Sequence, residues 1–303
     1  MSSRNIASKK LERVRPHKRD VPIGFLIPAV AVFGVIVIAP SIGGIYLSFT
    51  NFDGVGTPQW SGLQNYAAVF ADPQARSALV NTFALAFAIV IGQNLLGFAL
   101  ALALEKPFAG RNVLRVLFLL PAVLSPVIIG FLWQYIYSPT GALNSVLTNL
   151  GVGGAKDFAW LGDPHTALAA VAATTIWQLA GYAMVIYVAG LHGIPTEVVD
   201  AASTDGANAW QRLIHIRIPL LAPAITINFA LSLITGLRIF DQVIAMTGGG
   251  PGYATETIST LVYKQGFVFN HVGYSLALAI ILAIFIAALT AVQVRATTRA
   301  DSK

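Results

Sequence analysis

Polar side chains are scarce in this sequence, so the places where they cluster mark where chemistry is possible. The long polar stretch at residues 191–219 holds Glu197, Asp200 and Asp205 beside Ala201, Ala202 and Gly206. These carboxylates are not spaced as an acid–base pair or a metal site. No G-x-x-x-x-G-K-S/T phosphate loop occurs, so the chain is not expected to hydrolyse ATP itself. It contains no cysteine, which excludes disulfides, thiolate nucleophiles and thiolate metal sites. A second group of polar residues lies inside apolar runs. Thr175, Gln178 and Tyr182 share one helical face with Leu179, and Asn228, Ser232 and Gly236 share another with Ile239. Thr235 lies beside the second set. Hydroxyls and amides around an aromatic ring suit the hydroxyls and apolar faces of a sugar. Hydrogen bonds between neighbouring helices, worth about 0.6 kcal/mol each, explain the same residues equally well. Arg238 and Asp241 stand at i and i+3, where an ion pair capping a helix is the simpler reading and a substrate contact the sharper one. His165, His192, His215 and His271 fall near the ends of apolar runs and read as solvated.

The elements that must position these residues are membrane helices. Of 303 residues 56% are hydrophobic and 11% charged, against roughly 25% charged in soluble domains. Six apolar stretches reach the length of about 20 residues that a bilayer requires. They cover about 22–49, 78–104, 116–137, 166–191, 218–239 and 274–294. Pro40, Pro121, Pro126, Gly130, Gly181 and Pro223 lie within them; bundled neighbours can satisfy backbone groups that such residues free. The first run exceeds the roughly 7–15 apolar residues of a secretory signal and reads as a retained helix.

Orientation follows the basic residues. With the amino terminus inside, the cytoplasmic set is Arg4, Lys9, Lys10, Arg13, Arg15, Lys18, Arg19, Lys106, Arg111, Arg115, Arg212, Arg217, Arg295, Arg299 and Lys303. Only Arg76, Lys156, Arg238 and Lys264 of the 19 lie outside. The expected fold is all-α: a polytopic membrane protein of six transmembrane helices with both termini cytoplasmic. Residues 1–20 form a basic cytoplasmic tail, and residues 21–303 a six-helix domain carrying the cytoplasmic loop 191–219. The net charge of +6 serves topology and anionic headgroups, and no nucleic-acid partner is expected.

On the outer side, Trp60, Leu63, Tyr66 and Phe70 recur at helical spacing and predict an interfacial helix. Trp160 followed by Asp163-Pro164 predicts an interfacial anchor, an N-cap and a proline at the first helical position. Gly248-Gly249-Gly250-Pro251-Gly252 must break the chain after the fifth run. Inside, the link from Glu105 to Arg115 is short and basic, whereas 191–219 far exceeds the roughly 2–8 residues that usually join bundled helices. There Pro195 opens a helix with Glu197 in its first turn. Gly206 ends it in a left-handed conformation, and a second helix follows from Ala207 with Trp210, Leu213, Ile214 and Arg217 at i, i+3, i+4 and i+7. Pro219 marks the start of the fifth span. The result is a compact knob, either a docking element or an ordinary helical loop tucked under the bundle.

The spacing Asp200-Ala201-Ala202, then Gly206, then Ile216-Arg217-Ile218-Pro219 resembles the EAA motif of binding-protein-dependent ABC importer permeases. Aspartate replaces glutamate and Ile218 replaces leucine, both conserving chemistry. Ile194-Pro195 with Glu197, Asp205-Gly206-Ala207, Phe240-Asp241, Met246 through Pro251 and Thr255-Glu256-Thr257 resemble the carbohydrate branch, the maltose-transporter type. Ser48-Phe49-Thr50, Gly62-Leu63, Asn65-Tyr66, Asn81-Thr82, Pro121, Leu124-Ser125-Pro126 and Trp160-Leu161 extend the match. The resemblance implies a bacterial plasma (inner) membrane subunit whose loop, through Glu197, Asp200, Ala201, Ala202, Asp205 and Gly206, docks on a dimer of cytoplasmic ABC ATPase subunits. It implies a second, homologous permease subunit and an extracytoplasmic substrate-binding protein as further partners, within the lipid bilayer. No cofactor belongs to this chain; ATP and Mg belong to the partner ATPase. Thr175, Gln178, Tyr182, Asn228, Ser232, Gly236 and Arg238 become candidates for the substrate path, with Tyr182 and Ser232 best supported. The implied cargo is a sugar or oligosaccharide, the alternative being glycerol-3-phosphate or a glycerophosphodiester. A self-sufficient secondary transporter fits less well, because no chain of acidic groups crosses the apolar runs.

Overall fold

The computed structural model describes residues 26–301; the basic tail over residues 1–20 lies outside the described residues, as does Lys303. The described chain is helical, and its one strand-like feature is an isolated antiparallel bridge between Thr50 and Trp60. It divides into two units between Gly44 and Ile45, a boundary that falls within the first helix. That helix, α1, spans Leu26–Ser48. Ahead of Pro40 it widens into an i→i+5 turn over Gly34–Ile38, where the Ala39 amide donates to the Gly34 carbonyl. A wide turn relieves the clash between a proline ring and the carbonyl four residues earlier.

From Ile45 onward the elements follow the apolar runs, with two departures. Helices α2 (Gln64–Ala71), α3 (Pro73–Ala103), α4 (Arg111–Val123), α5 (Pro126–Ile136) and α6 (Ala142–Asn149) come first. Then come α7 (Pro164–His192), α8 (Thr196–Thr204), α9 (Ala209–Leu220) and α10 (Ala222–Leu237). Short helices α11 (Asp241–Met246) and α12 (Ile258–Tyr263) precede the last helix, α13 (Val272–Asp301). Among the described residues four helices are long and apolar enough to cross a membrane, or up to six if each of two bent pairs counts as one. The third run is not straight: α4 and α5 meet at 98° across Leu124 and Ser125. Ser125 precedes Pro126 and takes an extended ψ of 132°, as a residue before proline prefers. The fifth run bends by 69° between α9 and α10. Its break comes at Leu221, not at Pro219, which α9 carries in its last turn. Another wide turn, Leu213–Arg217 with the Ile218 amide on the Leu213 carbonyl, accommodates that proline.

Two long helices start as their Asp-Pro pairs require. Asp72 accepts from the Gln74 amide at 2.8 Å and Asp163 from the His165 amide at 2.9 Å, with proline first in each helix. The outer interfacial helix is shorter than its spacing implied. Trp60 precedes it, because residues 49–51 pair with 59–61 through Asn51–Gln59 and Ser61–Phe49 backbone bonds. Trp60 instead stacks on Phe49 at 5.4 Å. The bundle centres on α3, which packs against α7 and α10, while α4 covers α7 and α13 covers α10. Approach is close where residues are small, as bilayer packing demands. A Cβ on Gly236 would lie 2.7 Å from Ala86 Cα, and one on Gly181 would strike the backbone of Phe118 and Leu119.

Candidate functional site

The long loop folds as two short helices meeting at a glycine. Helix α8 starts at Pro195 with Glu197 in its first turn and is capped by Asp205. Gly206 follows with φ of +84°, its amide on the Ser203 carbonyl, while the Ala207 amide reaches the Ala202 carbonyl. These two bonds make a Schellman stop. Asn208 then caps α9 reciprocally with Gln211, at 2.9 and 2.8 Å. The second helix thus begins at Ala209 rather than Ala207, because Asn208 supplies the cap. Glu197, Asp200, Ala201, Asp205 and Gly206 are exposed, and Ala202 is half-buried. Trp210 is 68% exposed beside them. Its helical spacing alone did not show that this indole lies open.

The polar residues of α7 and α10 separate into two groups. Thr175, Gln178, Asn228 and Ser232 are sealed between helices, each at most 1% exposed. Tyr187 donates to Asn94 Oδ1 at 2.6 Å, Asn94 Nδ2 donates to Ser232 Oγ at 3.0 Å, and Asn228 Nδ2 donates to the Ala183 carbonyl at 3.3 Å. This network stitches α3, α7 and α10 together. Gln178 Nε2 donates to the Leu124 carbonyl at 3.2 Å, satisfying a group freed by the α4–α5 break, and its Oε1 accepts from Gln242 at 3.1 Å. Thr175 bonds back to the Val171 carbonyl, and Gly236 is the close-packing point against Ala86. Asn94, Tyr187 and Gln242 were missed by the sequence reading. Gln93-Asn94, an amide pair inside an apolar run, was the available signal. Replacing Asn94 with leucine is expected to cost about 1 kcal/mol, the sum of two interhelical bonds, read as a lower unfolding midpoint in detergent.

Tyr182 and Arg238 are the two candidates that remain open. Tyr182 is 49% exposed on a stripe of α7 with Val185 and Ala189. Arg238 ends a stripe of α10 with Ile227, Leu231 and Thr235. The ion pair expected between Arg238 and Asp241 does not form; among the described residues the pairs are Arg217–Glu105 and Lys264–Glu256. The i, i+3 spacing is not helical there, because Arg238 caps α10 and the chain turns through Phe240 at φ of −136° before α11.

Residues 93–301 match the family model described as binding-protein-dependent transport system inner membrane component. The chain is similar to the probable starch degradation products transport system permease protein of Thermoanaerobacterium thermosulfurigenes, 32% identical over 278 residues, 91% of this chain and 94% of the relative. It is also similar to the sulfoquinovosyl glycerol transport system permease protein of Agrobacterium fabrum, 33% identical over 281 residues, 91% and 90% of the two chains. In fold it matches a chain in the crystal structure of a bacterial alginate ABC transporter in complex with alginate pentasaccharide-bound periplasmic protein. That match has a TM-score of 0.79 at 21% identity, over 92% of this chain and 94% of the other.

Proposed function

We propose that this chain, which belongs to the family of binding-protein-dependent transport system inner membrane components, carries a sugar or oligosaccharide. The chain is an inner-membrane permease subunit of an ABC importer. We read each bent pair as one span, six in all, with both termini and the loop 191–219 in the cytoplasm; the excess of basic residues on that side supports this topology. On this topology the loop receives the stroke of a dimer of ABC ATPase subunits, which hold ATP and Mg. A second, homologous permease completes the passage, and an extracytoplasmic binding protein delivers cargo.

The observation that carries the reading is the exposed, glycine-broken knob with Asp200, Ala201 and Gly206 at EAA spacing. The named relatives transport carbohydrates or their glycosides, which supports a sugar as cargo. Of the candidate path residues, the open Tyr182 and Arg238 are the ones free to meet it. Thr175, Gln178, Asn228, Ser232 and Gly236 hold the helices that present those faces. Asp200→Lys is expected to leave membrane insertion intact and to abolish co-purification of the ATPase or its coupling to uptake. Normal uptake by that variant removes the loop from the docking role. Transport by the purified chain alone, without ATPase or ATP, overturns the importer reading in favour of a secondary transporter.

An anionic cargo, such as an acidic sugar, glycerol-3-phosphate or a glycerophosphodiester, is the second reading. It is favoured by one observation: Arg238 is exposed and forms no ion pair with Asp241. Arg238→Gln is expected to weaken uptake of an anionic cargo and to leave that of a neutral sugar unchanged. Calorimetric titration of the cognate binding protein with neutral and acidic glycans separates the two.

A further inference from the structure

Three arginines from two separate segments converge on the end of α3. Arg115 Nη2 donates to the Leu104 carbonyl at 2.8 Å and Arg111 Nη1 to the Glu105 carbonyl at 2.9 Å. These are carbonyls at a helix end, where partners must come from outside the helix. The third arginine comes from the long loop: Arg217 Nη1 meets Glu105 Oε2 at 2.7 Å, with both side chains about a quarter exposed. Beyond that pair, Leu191 and Ile194 pack the start of the loop on the bundle, whereas α8 has no buried residue. A cleft of about 340 Å³ lies behind α8, lined among others by His192, Val199 and Asp200, with Glu105 and Arg217 on its wall. The chain bends by 69° at Leu221, so α9 does not run straight into α10. A push on α9 therefore has no straight helix through which to reach the membrane core.

We infer that the Glu105–Arg217 ion pair is the strut that makes the loop move with α3, and that both are positioning residues for transport. Helix α3 is the right recipient because it packs against both α7 and α10, at Gly97 on Ala183 and at Ala86 on Gly236. Displacement of its inner end is shared by the two helices that carry the open stripes. A partly exposed pair contributes little to folding stability, so removing it should spare assembly and alter how motion is passed on. The inference rests on the reading of the loop as the ATPase-driven element.

The chain has no cysteine, so label pairs can be placed without background from this subunit. The test uses the full importer in lipid, with Ser203→Cys on α8 and Ala84→Cys on α3 spin-labelled, and vanadate-trapped ATP as the probe. About 30 Å of helix separates Ala84 from the end of α3, a suitable range for pulsed distance measurement. With the strut intact, trapping should leave the distance distribution narrow. Arg217→Met and Glu105→Gln should retain ATPase binding and ATP hydrolysis, yet broaden the trapped distribution about twofold, as expected of a loop released to several states. Arg217→Lys, which keeps the charge, should behave as the native chain. An unchanged distribution in both neutral variants overturns the strut, as does a lysine variant that behaves like the methionine one. Failure of the native chain to bind an ATPase sinks the importer reading instead, and the nucleotide-free distributions of the same variants still report whether the pair ties the loop to α3.

Discussion

Gly206→Val is expected to lower uptake at least tenfold while the chain still inserts and purifies in normal amount. Space is not the reason, since a Cβ at this position meets nothing within 4 Å. The reason is the backbone. At φ of +84° the residue sits in the left-handed region, which costs an ordinary L-residue about 1–2 kcal/mol and a β-branched one more. Its amide and that of Ala207 close the Schellman stop on Ser203 and Ala202. Valine must either unwind the last turn of α8 or swing α9 away, and both change the surface made by Asp200, Ala201 and Trp210. Gly206→Asn, which tolerates this conformation best among side-chain residues, should retain most uptake. The check is uptake of the sugar captured by the binding protein, together with ATPase activity in the same vesicles. Wild-type transport by the valine variant would mean that the geometry of the knob is immaterial.

Gly181→Ala is expected to destabilise the bundle by about 3 kcal/mol or more, the upper range for overpacking, and to cut the yield of folded protein severely. One methyl group there would strike the Phe118 carbonyl and lie against the Leu119 backbone, neither of which can rotate aside. Helices α4 and α7 would have to separate. That loosens the contact between the break at Leu124 and the Gln178 side chain that satisfies it. Gly236→Ala should act in the same direction through Ala86 but less severely, because its nearest approach is 2.7 Å. Gly153→Ala, with nothing within 4 Å, is the matched control and should leave yield and unfolding temperature unchanged. Native-like yield of the Gly181 variant would show that α4 and α7 do not pack as closely as described.

Much of the site was legible because its signals are local. Asp72-Pro73 and Asp163-Pro164 fix helix starts through bonds to amides two residues on. Pro195, Glu197 and Gly206 bound α8 by helix-end chemistry, and the spacing from Asp200 to Pro219 carried the family resemblance that the match over residues 93–301 then bore out. Proline alone did not locate the breaks. Pro121 and Pro219 stay inside helices, whereas the chain bends just before Pro126 and at Leu221. At the first of these breaks the Gln178 side chain takes up the Leu124 carbonyl.

The sequence by itself determined that the chain is an all-helical membrane protein, where the helices after its two Asp-Pro pairs start, and that the loop 191–219 is a glycine-broken knob. Only the tertiary structure decided which polar residues are open. A membrane helix is apolar on the lipid side and in its packed seams alike, so its sequence carries little periodic signal of which face turns inward. Thr175 and Gln178 share a helical face with Tyr182 on paper, yet the first two are sealed inside the bundle and the tyrosine is half exposed. The Glu105–Arg217 contact joins residues 112 positions apart, and no local rule could have paired them.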